Sequence, residues 1–270
     1  MTLNLKVCVI GAGKMGEALI RGLIYRGVID TKNILAIEVS EDRRNHVSGM
    51  YGVKCIGELV EAVREYDIIV IAVKPKDVRE VAEAISKYTT QKNLIVTLAA
   101  GVPIKFLAEI ISRSPIVRAM PNIAVLVGEG MVALARGPRT TPEHTNLSEK
   151  IFGSVGRVVW VEEKDMDAVT GLSGSGPAYI FSMIEALSEG GVKMGLEKSL
   201  ATFLAAQTTL GAAKMVLEMK EQPSKLINMV ATPGGTTVAG LKQLEESKVQ
   251  EAFIRAVAAA TERSKELILQ

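Results

Sequence analysis

The chain begins with a repeated alternation of short apolar runs and amphipathic stretches. Leu5–Ile10 is an apolar run of strand length that stops at Gly11. A helical pattern follows over Lys14–Arg26, where Ala18, Leu19, Gly22, Leu23 and Arg26 recur at helical spacing and Gly27 ends it. Further strands are predicted over Asn33–Glu38, Val53–Cys55, Asp67–Val73, Asn93–Leu98, Ile116–Ala119, Met131–Ala135 and Arg157–Val161. Helices are predicted over Glu41–Met50, Gly57–Arg64, Val78–Tyr88, Ile104–Ser112 and Glu143–Val155. Asp67–Val73 is the most strand-like run, and Lys74-Pro75 stops it. This alternation implies a mostly parallel sheet covered on both faces. The pattern changes at Glu162–Asp165. From Met166 onward only helical patterns remain, over Met166–Met194, Glu197–Met219 and Val249–Leu269, with shorter ones between.

In such a sheet, ligands lie outside the C-terminal ends of the strands. Four strand ends are therefore candidates: Gly11–Gly16, Lys74-Pro75, Ala99–Gly101 and Met120–Asn122. The first carries Gly11, Gly13 and Gly16 at the spacing G-x-G-x-x-G, between a strand and a helix. Gly11 lets the chain turn off the strand, Gly13 lets the backbone approach a pyrophosphate, and Gly16 lets the helix pack on the strand. Free N–H groups at the helix start face the anion. A packing turn in some other α/β domain is the bland alternative. The expected fold class is α/β: an N-terminal Rossmann-type, mostly parallel sheet domain over 1–163, and an all-helical C-terminal domain over 164–270.

Composition narrows the function classes. Aromatic residues are 4% of the chain, too few for a base-stacking surface, and 32 Lys+Arg against 30 Asp+Glu leave a formal charge of +2. Neither a nucleic acid nor a membrane is expected as partner. Cys8 and Cys55 each sit in an apolar run and read as buried thiols of a reducing compartment, with no metal site. No signal-peptide layout and no uninterrupted apolar segment of transmembrane length is visible, so a cytoplasmic protein is expected. Small residues at Gly190-Gly191, Ala205-Ala206 and Ala258–Ala260 permit close helix packing. Helices this apolar are expected to bury against a second copy of the chain, or else against the first domain.

Two stretches of the helical part have unusual composition. Gly171–Pro177 places four residues of glycine or proline inside a helical region, where they cost helix stability. Ala231–Thr237 brings glycines and hydroxyls to a helix start, the makings of a nest for a small carboxylate. Both could equally be inter-helix loops. His46 and His144 lie in polar segments away from the strand ends and read as solvated, and Tyr179 reads as packing. With no evident general acid, the chain suits a substrate that already carries its proton, such as a protonated imine, which needs only orientation and a hydride.

The stretch from Asp167 to Tyr179, with Gly171-Leu172-Ser173-Gly174-Ser175-Gly176-Pro177 at its centre, resembles the signature of the Δ1-pyrroline-5-carboxylate reductase family. So do Gly190–Gly195 and Pro233-Gly234-Gly235-Thr236-Thr237. Ala72-Val73-Lys74-Pro75, Ala99-Ala100-Gly101-Val102 and Arg118-Ala119-Met120-Pro121-Asn122 fit the same family, and the resemblance covers nearly the whole chain. It implies NAD(P)H-dependent reduction of L-1-pyrroline-5-carboxylate to L-proline, the last step of proline synthesis. It also implies a C-terminal dimerisation domain, with dimers assembling into larger rings. For the cofactor, the resemblance implies Ile10, Gly11, Ala12, Gly13, Lys14, Met15 and Gly16, with Ala72–Pro75, Ala99–Gly101, Met120, Pro121 and Asn122. For the substrate, it implies Val230, Gly234, Gly235, Thr236 and Thr237, with Ser175 and Glu163. Thr237 would carry the hydroxyl that approaches the imine nitrogen.

The chain departs from the family pattern at Ile123-Ala124, at Thr232, and at Glu38 and Glu58, where NADPH-preferring members tend to have small polar residues. Glu38 ends the second strand, where an acid takes the ribose 2′-hydroxyl of NAD and repels a 2′-phosphate, while Arg43 and Arg44 would offset it. Dual use of NADPH and NADH is expected, with NADH handled unusually well. Two rivals are weighed. A β-hydroxyacid-dehydrogenase-like oxidoreductase needs a lysine where this chain has Ile180. A non-catalytic nicotinamide-binding regulator has no need of Pro233–Thr237.

Overall fold

A computed structural model describes residues 2–59 and 61–267, with backbone only at 61 and 62. The elements run β1 (Val7–Ile10), α1 (Lys14–Tyr25), β2 (Ile34–Ile37), α2 (Glu41–Tyr51), β3 (Lys54–Ile56), β4 (Ile68–Ile71), α3 (Val78–Ser86), β5 (Leu94–Thr97) and α4 (Ile104–Ile110). Then come β6 (Ile116–Pro121), β7 (Gly130–Arg136), α5 (Pro142–Phe152) and β8 (Gly156–Trp160). The remaining elements are helices: α6 (Met166–Val169), α7 (Gly176–Lys193), α8 (Lys198–Met219), α9 (Pro223–Val230), α10 (Thr236–Glu246) and α11 (Val249–Leu267).

The eight strands form one sheet in the order β3-β2-β1-β4-β5-β6-β7-β8. Every neighbouring pair is parallel except β6 and β7. All eight predicted strands are present. The central strands are buried at every position, and the two-residue period divides them between two cores. Val7, Val9, Ile34, Ala36, Ile68 and Val70 face one way, against Leu19, Ile20 and Leu23 of α1 and Ile151 and Phe152 of α5. Cys8, Ile10, Leu35, Ile37, Ile69 and Ile71 face the other, against Val78, Ala82 and Ile85 of α3 and Ile104 and Leu107 of α4. Each fully buried Leu, Ile or Phe contributes about 1.5–3 kcal/mol, and this burial fixes register, because a one-residue slip would exchange the faces. The chain reverses direction of growth at β1, which has β2 on one side and β4 on the other. Such a switch point opens a crevice at the C-terminal strand ends.

The structure corrects two element assignments. In place of a helix over Gly57–Arg64 there is a 3₁₀ turn over Glu61–Glu65, with position 60 outside the described residues. The link must cross two strands and return along the sheet. The helical pattern over Met166–Met194 is broken by a π-helical turn at Thr170–Gly174. The helix predicted over Val249–Leu269 is present to Leu267, and its positions 268–269 lie outside the described residues.

The chain divides into two compact units, Met1–Gly174 with Ala259–Gln270, and Ser175–Ala258. The second is helical throughout and leaves many large apolar side chains exposed, including Phe181 at 63% and Phe203 at 65%. Its α8 is the one helix among the described residues long and apolar enough to cross a membrane. No uninterrupted apolar segment of that length was expected from the sequence. Lys198, Lys214 and Glu218 break the run without bringing the average down.

Candidate active site

The candidate nucleotide end is built on four adjacent strands. The sheet order places the C-terminal ends of β1, β4, β5 and β6 side by side, so Gly11, Ala72, Ala99 and Asn122 fall along one edge. Backbone bonds lock these ends together: Gly11 N–H donates to Ile37 O at 2.7 Å, Ala72 N–H to Ile10 O at 2.8 Å, and Leu98 N–H to Ile71 O at 2.9 Å. Gly11 has φ +94°, and a Cβ there would lie 2.8 Å from Ala72 O. A Cβ on Gly16 would lie 2.0 Å from Gly11 O, so only glycine lets α1 lie this close to β1. Gly13 is the opposite case, because a Cβ there would meet no atom within 4 Å. The turn is open on that side, and no side chain caps the start of α1, whose first N–H groups lack intrahelical partners. An open, uncapped helix start of this kind can receive an anion.

The other predicted cofactor residues divide by what their side chains do. Lys14, Lys74 and Pro75 are exposed and Met15 packs on the first core. Ala99 and Gly101 are buried, with Gly101 at φ +73°, and the buried Thr97 hydroxyl accepts from Ala99 N–H at 3.2 Å. Asn122 holds the loop after β6: its Oδ1 accepts from Ala124 and Met131 N–H at 3.3 and 3.2 Å, and its Nδ2 donates to Ser173 O at 3.2 Å. That last bond, with Met120 Cε 2.8 Å from where a Cβ on Gly174 would stand, fastens the π-helical turn to the end of β6. Turns of this kind recur at functional sites.

Glu38 closes β2 and turns its carboxylate onto the glycine turn. Oε2 accepts from Ala12 N–H at 2.9 Å and Oε1 from Ser40 N–H at 3.0 Å. Arg43 Nη2 donates to Ala12 O at 2.6 Å and to Glu17 Oε2 at 2.5 Å. Arg44 donates to the carbonyls of Glu38 and Val39 at 2.9 and 2.7 Å. Glu17 was not singled out in the sequence, since an acid in a first helical turn needs no further explanation.

The substrate-side residues lie in the helical unit. Gly234 has φ +73°, Gly235 N–H donates to Thr232 O at 2.9 Å, and α10 starts at Thr236 with no side-chain cap. A Cβ on Gly235 would lie 2.6 Å from Thr232 Oγ1, so this turn also depends on glycine. Thr237 is half-buried, whereas Thr236 and Val230 are exposed. Ser175 is half-buried at the start of α7, also without a side-chain cap.

Glu163 has a different setting. Its Oε1 accepts from Ile104 N–H at 2.6 Å, at the start of α4, and lies 3.4 Å from Nη1 of Arg118, whose side chain is 4% exposed. Arg118 is a lone cation in the apolar run Ile116–Ala119, and a charge buried in a strand needs a partner, but the sequence does not say which. His144 accepts at Nδ1 from Thr141 N–H at 3.1 Å in the capping box of α5, and burial lowers its pKa. His46 donates to Glu17 at 3.0 Å, and the Tyr179 hydroxyl donates to Ala256 O at 3.4 Å. Cys8 and Cys55 are free thiols, buried and half-buried, and burial pushes Cys8 up to about 12. Among the described residues no group of three or more metal-ligating side chains occurs.

Comparison with known proteins agrees with this geometry. Residues 163–267 match the family described as pyrroline-5-carboxylate reductase dimerisation, which supports a homodimer, and residues 6–101 match that described as NADP oxidoreductase coenzyme F420-dependent. The chain is 44% identical over 265 residues to the pyrroline-5-carboxylate reductase of Methanosarcina acetivorans, covering 98% of each. It is 40% identical over 264 residues to that of Arabidopsis thaliana, covering 98% of this chain and 96% of the relative. The pyrroline-5-carboxylate reductase structure from Coxiella burnetii superposes with a TM-score of 0.91 at 36% identity, covering 98% of this chain and 99% of that one. The Plasmodium falciparum pyrroline carboxylate reductase, solved with NADP bound, gives 0.89 at 33%, covering 99% and 100%. With the glycine turn, the π-helical turn and the Pro233–Thr237 turn each in place, these likenesses run the full length of the molecule, and the chain belongs to the pyrroline-5-carboxylate reductase family.

Proposed function

We propose that this reductase works through two uncapped helix starts, one for each anion. The start of α1 at Gly13 receives the dinucleotide pyrophosphate, flanked by Ile10–Gly16, Ala72–Pro75, Ala99–Gly101 and Met120–Asn122. The start of α10 receives the substrate carboxylate on the N–H groups of Gly234–Thr237, with Val230 and Ser175 beside the ring. The observation that carries the reading is the open, glycine-dependent turn at Gly234-Gly235 leading into an uncapped helix with a hydroxyl at each of its first two positions. The bound reduced nicotinamide supplies a hydride, which the imine carbon of L-1-pyrroline-5-carboxylate accepts to give L-proline. Neither histidine is positioned for acid catalysis, because both hold local structure. The imine nitrogen therefore arrives protonated and keeps its proton. Thr237 Oγ1 accepts from that N–H and fixes the face that the ring presents.

This reading assigns residues 1–163 to the dinucleotide and 164–270 to substrate binding and dimerisation. It places the enzyme in the cytoplasm, in keeping with its free thiols, and has dimers assembling into rings. Glu38 supports dual use of NADPH and NADH. An acid closing β2 serves a 2′-hydroxyl and repels a 2′-phosphate. Glu163 enters as a support of the fold.

Thr237→Ala tests the proposal. Loss of a hydrogen bond to a charged group removes about 1.5–3 kcal/mol, so kcat/KM for pyrroline-5-carboxylate is expected to fall about 10- to 150-fold. The Kd for dinucleotide should hold. An unchanged kcat/KM would remove the hydroxyl from the mechanism.

A further inference from the structure

The nucleotide end contains a carboxylate that the reading above leaves unused. Glu17 lies in the first turn of α1 and its side chain is 19% exposed. Oε2 accepts from Arg43 at 2.5 Å, and Oε1 accepts from the Tyr51 hydroxyl and from His46 Nε2, each at 3.0 Å. Burial pushes the Glu17 carboxyl up, but the donors Arg43, His46 and Tyr51 outweigh it and hold the group below the usual carboxylate range. Arg43 Nη2 also donates to Ala12 O at 2.6 Å. One guanidinium nitrogen thus bridges the glycine turn and the first turn of α1. Arg44 is engaged with the carbonyls of Glu38 and Val39.

A 2′-phosphate is recognised by a guanidinium, whose planar fork meets phosphate oxygens in pairs. A free 2′-hydroxyl is recognised by a carboxylate at the end of the second strand, which is Glu38 here. Discrimination at this corner therefore depends on which group holds Arg43. Glu17 competes with a 2′-phosphate for the same nitrogen, Arg43 Nη2.

We propose that Glu17 is a specificity-determining residue of this reductase: it withholds Arg43 from a 2′-phosphate and so shifts the enzyme toward the dinucleotide with a free 2′-hydroxyl. The proposal rests on the dual-cofactor reading. It also accounts for its graded character. When Arg43 leaves, Glu17 keeps Tyr51 and His46, so the arginine can be drawn away by a phosphate.

The test is direct binding, by titration calorimetry of NADP+ and NAD+ on the full chain with no turnover. Glu17→Gln keeps the side-chain volume and removes the charge. NADP+ is expected to bind about tenfold tighter to this variant, with NAD+ changed less than twofold. Adding Arg43→Met should abolish that gain. NADP+ affinity unchanged in Glu17→Gln, with NAD+ binding and Tm intact, overturns the proposal, as does a gain that survives Arg43→Met. If Glu17→Gln fails to fold, Tyr51→Phe decides the matter. Freed of one donor, Glu17 should hold Arg43 more tightly and NADP+ should bind two- to threefold more weakly, and unchanged or tighter binding overturns the proposal. The unmodified chain tests the underlying reading separately: a preference for NADP+ beyond a hundredfold sinks dual use, and the shift caused by Glu17→Gln is still readable against it.

Discussion

At the scale of single residues, Arg118 and Glu163 show how a charge in a strand organises what surrounds it. Arg118 is buried on β6, two positions before Met120, and its Nη2 has no partner among the described residues. Glu163 meets Nη1 and, through the same oxygen, the first N–H of α4, just after the Ala99–Val102 loop. One carboxylate therefore ties the start of α4, after the β5 loop, to β6. Removing it leaves a buried guanidinium uncompensated. Glu163→Ala is expected to lose on the order of 3 kcal/mol in urea unfolding, whereas Glu163→Gln, which keeps an acceptor for Ile104 N–H, should recover part of that. Equal losses for the two variants would show that the acceptor contributes nothing. Sequence alone supplied Glu163 as a family position and could not supply its partners, which lie 45 and 59 residues earlier. Such pairings are set by sheet order.

At the scale of elements, the glycine turn was legible where a glycine answers to a local steric demand, as Gly11 and Gly16 do. The π-helical turn at Thr170–Gly174 was not, since its cause is a contact from β6 through Asn122 and Met120. The glycines also separate fold from binding. A Cβ on Gly16 would lie 2.0 Å from Gly11 O, so Gly16→Ala must push α1 off β1 and should lower Tm by several degrees while abolishing dinucleotide binding. Gly13 has φ −68°, ordinary for any residue, and a Cβ there meets no protein atom within 4 Å. Gly13→Ala should therefore leave the Tm of the free protein unchanged, yet weaken dinucleotide binding at least tenfold by filling the space a pyrophosphate takes. Unchanged affinity in Gly13→Ala would move the pyrophosphate away from this turn. Comparing the two variants by thermal melts with and without NAD+ makes that distinction.

At the scale of the whole molecule, the open question is where the apolar surface of the helical unit goes. Its helices were legible as helices, but the sequence left two occupants for their exposed faces. In the structure Phe181, Phe203, Leu204 and Leu210 remain exposed at 63, 65, 45 and 51%. Helix α8 is apolar enough to pass as a membrane span, yet little of it is buried. Residues 163–267 belong to a dimerisation family, so a second copy is the occupant that accounts for both facts. Two consequences follow for one measurement series. Tm should rise with protein concentration, because folding and association are linked. Phe203→Asp, a charge placed in the second turn of α8, should convert the dimer to monomer in sedimentation velocity at micromolar concentration and lower Tm. The sheet unit, with its own two cores, should keep its dinucleotide affinity within a few-fold. A Phe203→Asp chain that still sediments as the unmodified one would place α8 outside the dimer contact. A loss of dinucleotide binding together with dimerisation would mean that the sheet unit depends on the pairing of the helices for its stability.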